Sequence, residues 1–370
     1  MIVVIGGGIL GASTTYHLAK SGVDVTLVDR KDLGQATEAA AGIICPWLSQ
    51  RRNKAWYQLV KSGAAYYPKL IEMLKEDGDF DTGYKQVGTI CLHDNEEKLL
   101  QMRDRAIQRR ENAPEIGEVS ILSEKETKEI FPVLSEQYRA VYVSGGARVN
   151  GGLIRDALIQ AALKNGAKKV DGSASLLVKG NRVTGVEVNS KESIEADLVI
   201  DTTGAWSKEL IEPLNINFNV THQRAQIIHL HLPTVETDDW PVVMPLDNIY
   251  LLSNPNGRII VGATRTDVDT FDYRVTTEAV HEILHKALHY APGLNDSTFL
   301  ETKVGFRPYT ADFLPVFGRL PNYEGLFVAN GLGATGLTSG PFLGSVVSKL
   351  VQNELVDFPV ELFSVDQAIE

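Results

Sequence analysis

Residues 1–29 read MIVVIGGGILGASTTYHLAKSGVDVTLVD, and the rest of the chain is organised around them. Met1–Ile5 is an apolar, β-branched run, the pattern of a buried strand. Gly6, Gly8 and Gly11 follow as G-x-G-x-x-G. Ala12–Lys20 has helical character, Gly22 stops it, and Val23–Val28 is a second short strand ending in Asp29. Each glycine has a task in such a unit. Gly6 makes the turn, Gly8 lets a pyrophosphate approach the backbone, and Gly11 lets the helix pack close to the strand. The helix N-terminus then offers free N–H groups and a partial positive charge to the phosphates, and Ile9 and Leu10, within the glycine turn, are further candidates for cofactor contact. Asp29, with Arg30 beside it, stands where a carboxylate takes ribose hydroxyls. A lone glycine triplet is a weak signal. The strand before it, the helix after it and the acid-tipped second strand separate it from a glycine-rich turn with no ligand. An acid repels a 2′-phosphate, so the unit favours FAD or NAD over NADP.

A chain of 370 residues suggests two domains or one large one. With 44% hydrophobic and 22% charged residues it has an ordinary globular composition. A net charge of −11 argues against nucleic acid or an anionic membrane as partner, since both need basic surface. Cys45 and Cys91 form no CxxC or metal spacing, which points to a reducing, cytoplasmic setting. The apolar start lacks a basic flank and reads as a buried strand rather than a signal peptide. No run of about 18 apolar residues is present, so no membrane span is expected.

Further along, Thr37–Gly42 is a run of small residues that would let backbone lie against a flat ligand, or start a helix capped by Thr37. Helices are expected at Trp56–Leu74, Glu96–Arg110, Ser123–Ile130 (with a Ser123–Glu126 capping box), Gly151–Asn165, His281–Tyr290 and about Pro341–Gln352. Strands are expected at Tyr84–His93, Ala140–Val143, Ser173–Val178, Arg182–Val188 and Ser193–Asp201, with a hairpin at Gly180–Asn181. From Phe218 to Thr266 the pattern alternates in an antiparallel manner. Thr298–Phe306 reads as a strand, Pro308–Gly318 as a loop, and Gly325–Asn330 as a last buried strand. Gly331, Gly333 and Gly336 repeat the G-x-G-x-x-G spacing without a following strand and acid. They suit a loop over a flat cofactor better than a dinucleotide fingerprint. His281, His285 and His289 share a helix face, but no acidic partner supports a metal, and none is expected. Arg307 precedes a proline in a glycine-flanked segment, and a guanidinium fork there can bind a carboxylate in bidentate fashion.

Together these pieces resemble the D-amino-acid oxidase superfamily of FAD-dependent amine oxidoreductases, in its bacterial glycine oxidase and D-amino-acid dehydrogenase branch. The likeness covers nearly the whole chain. It rests on residues 4–29, ATEAAAGIICP (36–46), EADLVIDTTGAWS (195–207), GRIIVGAT (257–264), GFRPYTADFLPVFG (305–318) and GLFVANGLGATGLTSGP (325–341). It implies an α/β fold: a discontinuous Rossmann-like FAD-binding domain over 1–80, 144–217 and 303–370. A mixed, largely antiparallel β-sheet substrate domain is implied for 81–143 and 218–302. Carried over, Thr37, Ala40, Ala41 and Gly42 would line the flavin and Ala174 would meet the adenine side. Thr203 and Gly204 would sit near the pyrophosphate, and Gly331, Leu332, Gly333, Ala334, Thr335, Gly336 and Leu337 would cover the flavin pyrimidine. Arg307 matches the family arginine for the substrate carboxylate, and Tyr250 a tyrosine hydroxyl near it. Ile43 and Arg265 are further candidates for substrate contact. Arg265 stands where glycine oxidase has an apolar residue, and the last loop lacks that enzyme's arginine. No cysteine lies near the C-terminal flavin loop, so non-covalent FAD is expected.

The implied reaction oxidises the C–N bond of glycine or a D-amino acid by hydride transfer to flavin N5, and the imine hydrolyses to a 2-oxo acid and ammonia. A D-proline, hydroxyproline or sarcosine-type secondary amine dehydrogenase is the nearest rival. A NAD-dependent dehydrogenase is a more distant one, because it needs a contiguous nucleotide domain. Partners reduce to a small amino-acid substrate, with a homo-oligomer or a dehydrogenase-complex subunit left open.

Overall fold

The computed structural model describes all residues, Met1–Glu370. Its first sheet has six strands in the order Val316–Arg319, Leu326–Asn330, Leu198–Asp201, Ile2–Ile5, Val25–Asp29 and Lys168–Asp171. All neighbours run parallel except the first pair. Ile2–Ile5 lies near the centre and is buried on both faces, which is why it reads as a continuous apolar run. Side chains alternate across it. Val4 joins the core shared with the helices, while Val3 and Ile5 face a core shared with Val183, Val186 and Val188. Those valines belong to a three-stranded antiparallel sheet, Ala174–Lys179, Arg182–Val188 and Glu192–Glu195.

A second, nine-stranded sheet is mixed and mainly antiparallel. Its spine is the long pair Val220–His231 and Thr298–Thr310, joined along its whole length from Val220↔Thr310 to His231↔Thr298. The pair Tyr250–Asn254 and Arg258–Gly262 extends it. The helix Thr277–Tyr290 covers a core of Ile228, Leu230, Leu251 and Val261. No helix is long and apolar enough to cross a membrane.

Several sequence expectations are corrected. The first helix spans Ile9–Lys20, starting before Ala12 because Gly8 already serves as its N-cap. Residues 36–39 form turns, not a helix start. The Thr37 hydroxyl instead accepts from the Ile9 N–H at 2.9 Å and so satisfies the first helix. The expected strand Tyr84–His93 divides at Gly88 into Lys85–Gln86 and Thr89–His93, in two different sheets. Ser193–Asp201 likewise divides into Glu192–Glu195 and Leu198–Asp201, whose alternation patterns serve different layers. Pro308–Gly318 is a loop only over residues 311–315. The strand continues to Thr310, and Val316–Arg319 forms an edge strand.

The last helix begins at Gly336 and carries Pro341 within it. Proline has no N–H for the carbonyl four residues back, here that of Leu337. The buried Tyr67 hydroxyl donates to that carbonyl instead. Tyr67 sits on the helix Lys54–Asp77, whose Gly63 backs directly onto the Thr338 carbonyl: a Cβ there would lie 2.2 Å away. The proline break thus becomes a tie between two helices.

Tyr67→Phe should lower unfolding stability by about 1–3 kcal/mol, because the Leu337 oxygen then has no donor. Urea unfolding of the cofactor-free protein reads this directly, and an unchanged midpoint would show that the bond contributes nothing. A pH effect follows from His17 on the first helix. Its Nε2 lies 3.0 Å from the Tyr66 hydroxyl, and burial, aided by nearby lysines, pushes its pKa from 6.5 down to about 3. The unfolded chain takes up this proton below about pH 6.5 while the folded chain does not. Its contribution is therefore complete above pH 6.5 and lost progressively toward pH 3. His17→Gln should flatten the stability–pH curve across that window, as followed by thermal unfolding at a series of pH values.

Candidate active site

The carboxyl ends of the parallel strands open onto a cavity of ≈ 580 Å³, the position at which open α/β sheets take ligands. One wall comes from the turn Gly6–Leu10, from Asp29, from the small-residue run at 35–43, and from the turns at 202–206 and 329–338. The opposite wall comes from the second sheet, through Tyr250, Ala263, Arg265 and Gly305–Pro308.

The turns are fixed by buried polar groups. Asp201, fully buried at the end of its strand, accepts from the Thr203 N–H at 2.9 Å and the Thr203 hydroxyl at 2.7 Å, and from the Ser207 hydroxyl. Burial pushes its carboxyl pKa up, and these donors oppose the shift. Asn330 joins two turns: its amide donates to the Gly204 carbonyl at 2.9 Å, and its Oδ1 accepts from the Gly331 N–H at 2.7 Å.

The glycines fall into two groups. At Gly11 a Cβ would sit 1.9 Å from the Gly6 carbonyl oxygen, and at Gly42 it would sit 1.8 Å from the Val149 oxygen. Protein packing explains both. Gly8 and Gly336 differ. Both have ordinary negative φ, and the nearest atoms a Cβ would meet lie 3.5 and 3.8 Å away. Neither backbone strain nor a protein neighbour requires glycine there, and both residues line the cavity.

Asp29 lines the cavity with the Gln35 amide 3.5 Å from its carboxylate. Arg30 also lines it, but its guanidinium is committed to acids. It pairs with Glu209 at 3.0 and 2.9 Å and with Asp32 at 2.6 Å, and the Glu209 bonds lead in raising its pKa.

At the other end stand Arg307 and Tyr250. Arg307 is partly exposed, to the cavity, and desolvation lowers its pKa. The ionisable groups acting on it are the Tyr250 phenol and a second cation, Arg265, and no carboxylate is among them. Burial pushes the Tyr250 phenol up to about 12, against the pull of Arg307, so it keeps its proton at neutral pH. Arg265 is exposed, with its guanidinium 5.0 Å above the Phe313 ring.

The cavity brings together the candidate residues with two exceptions. Gly11 lies behind it, against the Gly6 carbonyl, and Thr335 is turned back to donate to the Leu332 carbonyl at 3.0 Å. Ile43 and Ala174 both line it. Sequence reasoning missed Gly7, where a Cβ would crowd the Asp29 carboxylate at 2.8 Å. The middle position of the unbroken run Gly6–Gly8 was a visible signal for it. Trp206, Asn248 and Asn330 were also missed. Only Asn330 had a signal, a polar residue ending an apolar strand. His289 bonds the Tyr138 hydroxyl at 3.2 Å, and no group of three or more potential metal ligands occurs. Cys45 is a free buried thiol whose pKa burial pushes up to about 12, outside the cavity lining.

A glycine turn and helix N-terminus at the edge of a parallel sheet, closed by a second sheet across a long cavity, define a nucleotide-cofactor oxidoreductase of the flavoprotein class. The family model for FAD-dependent oxidoreductases, DAO, matches residues 1–350, and the chain belongs to that family. It is 55% identical to the uncharacterised oxidoreductase YurR of Bacillus subtilis strain 168, over 94% of each chain. The crystal structure of iminodiacetate oxidase (IdaA) from Chelativorans sp. BNC1 superposes with a TM-score of 0.95 at 41% identity, covering 98% of both chains. That of glycine oxidase from Geobacillus kaustophilus gives 0.84 at 27%, covering 98% of this chain and 97% of the other.

Proposed function

We propose that the chain oxidises the C–N bond of a small amino or imino acid, with FAD held along this cavity. The observation that carries the reading is Arg307, a desolvated guanidinium on the cavity wall with no protein carboxylate beside it. Such a charge is costly unless a ligand brings its counter-ion. An α-carboxylate fits the guanidinium fork through two parallel hydrogen bonds, and the protonated Tyr250 hydroxyl can add a third. Glycine and iminodiacetate, after which two similar enzymes are named, each carry a carboxylate one carbon away from an amine nitrogen. The 41% identity to the iminodiacetate oxidase favours a secondary amine as a second reading, in which the product is a primary amine instead of ammonia.

The cavity suits the cofactor. A side chain at Gly8 or Gly336 would take up ligand space and displace no protein. Gly8 and Leu10 at the helix N-terminus would hold the pyrophosphate, beside Ile9, whose own N–H is bonded to Thr37, with Thr203 and Gly204 facing it. Asp29 would take the ribose, and Ala174 would lie on the adenine side. Ala40–Gly42 and the Gly331–Leu337 turn would flank the flavin. When bound there, FAD supplies the two-electron acceptor for oxidation of the amine carbon, and water converts the resulting imine to a carbonyl. The chain's own part is to fix the carboxylate on Arg307 and Tyr250, hold the reacting carbon in place, and keep bulk water out.

Anaerobic addition of glycine, sarcosine, D-proline, D-alanine and iminodiacetate to the purified yellow protein should bleach its flavin bands with at least one of them. A spectrum unmoved by all five removes the reading. Arg307→Ala should lower kcat/KM by roughly 30- to 1,000-fold, the equivalent of about 2–4 kcal/mol of lost charged hydrogen bonding. Gly8→Ala should leave the unfolding stability of the cofactor-free protein within about 1 kcal/mol of wild type while weakening FAD retention at least tenfold by dialysis and absorbance. Gly11→Ala should do the reverse and destabilise the fold. If both variants lose stability alike, Gly8 has no part in holding the cofactor.

A further inference from the structure

Resting on the amine-oxidation reading, we infer that the substrate carries a second carboxylate and that Arg265, at the exposed end of the cavity, receives it. Arg265 follows the strand Arg258–Gly262 and lines the same cavity as Arg307. The two cations repel each other, and that repulsion adds to desolvation in lowering the Arg307 pKa. Arg265 also faces Arg51, whose pKa is lowered first by desolvation and then by this neighbour. Two guanidinium groups therefore line one end of the cavity, and a third, Arg51, stands just outside its lining, bonded to the Phe313 carbonyl below Arg265.

None of them has an acid. Arg51 donates to the backbone carbonyls of Phe313 at 3.0 Å and Asp312 at 3.4 Å. Arg265 has only the face of Phe313, and Arg307 only Tyr250. The carboxylates that line the cavity are Asp29, Asp32 and Glu209. The last two are taken by Arg30, and Asp29 lies at the tip of the second strand, on the opposite side. Acids close to Arg265 in sequence, or beside the Phe313 ring beneath it, do not help. Asp267 accepts from the Gln223 amide, and Asp312 offers Arg51 its carbonyl, not its carboxylate. On the walls around the rest of the cavity and the sheets, Arg30, Arg148, Arg155, Arg224 and Arg258 carry acidic partners, whereas Arg109, like Arg51, bonds only backbone carbonyls.

One α-carboxylate on Arg307 leaves this end of the cavity with excess positive charge. A second anionic group on the same small molecule balances it. Because Arg307 is desolvated while Arg265 is exposed, the first carboxylate goes inward and the second lies toward the mouth, with the amine between them. The ligand class is a small dicarboxylic amino or imino acid. Approach is favoured as well. Arg51 lines a shallow groove with Arg52, Lys54, Arg105 and Arg109, which concentrates cations beside this end of a chain of net charge −11.

Calorimetry on the FAD-loaded enzyme tests this without turnover. Thiodiacetate replaces the amine with sulfur and keeps two carboxylates; (methylthio)acetate keeps one. Wild type should bind thiodiacetate at least tenfold more tightly. Arg265→Met should reduce that ratio to about one, Arg265→Lys should retain most of it, and Arg307→Met should weaken both ligands. Equal affinities in wild type, or a ratio unchanged in a folded, yellow Arg265→Met protein, overturn the inference. The amine-oxidation reading fails separately. It fails if no amine, iminodiacetate and sarcosine included, bleaches the flavin. An enzyme that oxidises sarcosine as efficiently as iminodiacetate keeps that reading and overturns only the second-carboxylate site.

Discussion

Everything in this fold depends on how closely the first helix approaches the first strand. A Cβ on Gly11 would stand 1.9 Å from the Gly6 oxygen and 2.4 Å from the Thr202 hydroxyl oxygen. The Thr202 hydroxyl donates to the Ile5 carbonyl at 2.8 Å and to the Gly6 carbonyl at 3.0 Å. One close contact therefore sets the turn, aims the helix N-terminus at the cavity, and fastens the strand Leu198–Asp201 beside the first. Any side chain at position 11 would push helix and turn apart and displace the N–H groups that face the ligand.

The second wall obeys a different constraint. Arg307 lies on Thr298–Thr310, paired across to Gln223, and Tyr250 lies on a strand joined to the same sheet through Arg258–Gly262. Both groups sit on sheet backbone, so their separation is fixed by strand register. The first wall is made of turns, and their order comes from buried polar groups such as Asp201 and Asn330. A small acid held by a rigid wall and a large cofactor held by backbone-rich turns are served by opposite kinds of structure.

Much of this was legible in the sequence, for reasons that can be named. The strand Ile2–Ile5, the helix Glu96–Arg110 and the Ser123–Glu126 capping box are local features, and the structure contains each of them. The family likeness carried the fold class and the cofactor, and it pointed to Arg307 and Tyr250. What stayed hidden was non-local. Nothing in Tyr84–His93 shows that Gly88 divides two sheets. Nothing near Pro308 shows that a partner strand extends the pairing to Thr310. Proline argues against a central strand, yet Pro308 pairs opposite His222 within the long pair. The role of Gly7 depends on a carboxylate 22 positions away in the chain, which only the folded turn brings near.

The strand order of the first sheet also sets a timetable for synthesis. Val25–Asp29, one neighbour of Ile2–Ile5, leaves the ribosome almost at once. The other, Leu198–Asp201, follows roughly 10–30 s later at about 5–20 residues per second. Throughout that interval an apolar strand presents an open edge, the kind of surface that pairs with other nascent chains or is held by chaperones. The cavity, whose walls draw on residues from Ile5 to Thr338, closes only after more than 330 residues have been made. A complete FAD cavity thus exists only once both walls have been made, and a shortage of FAD would be felt as an excess of folded but unsealed chains.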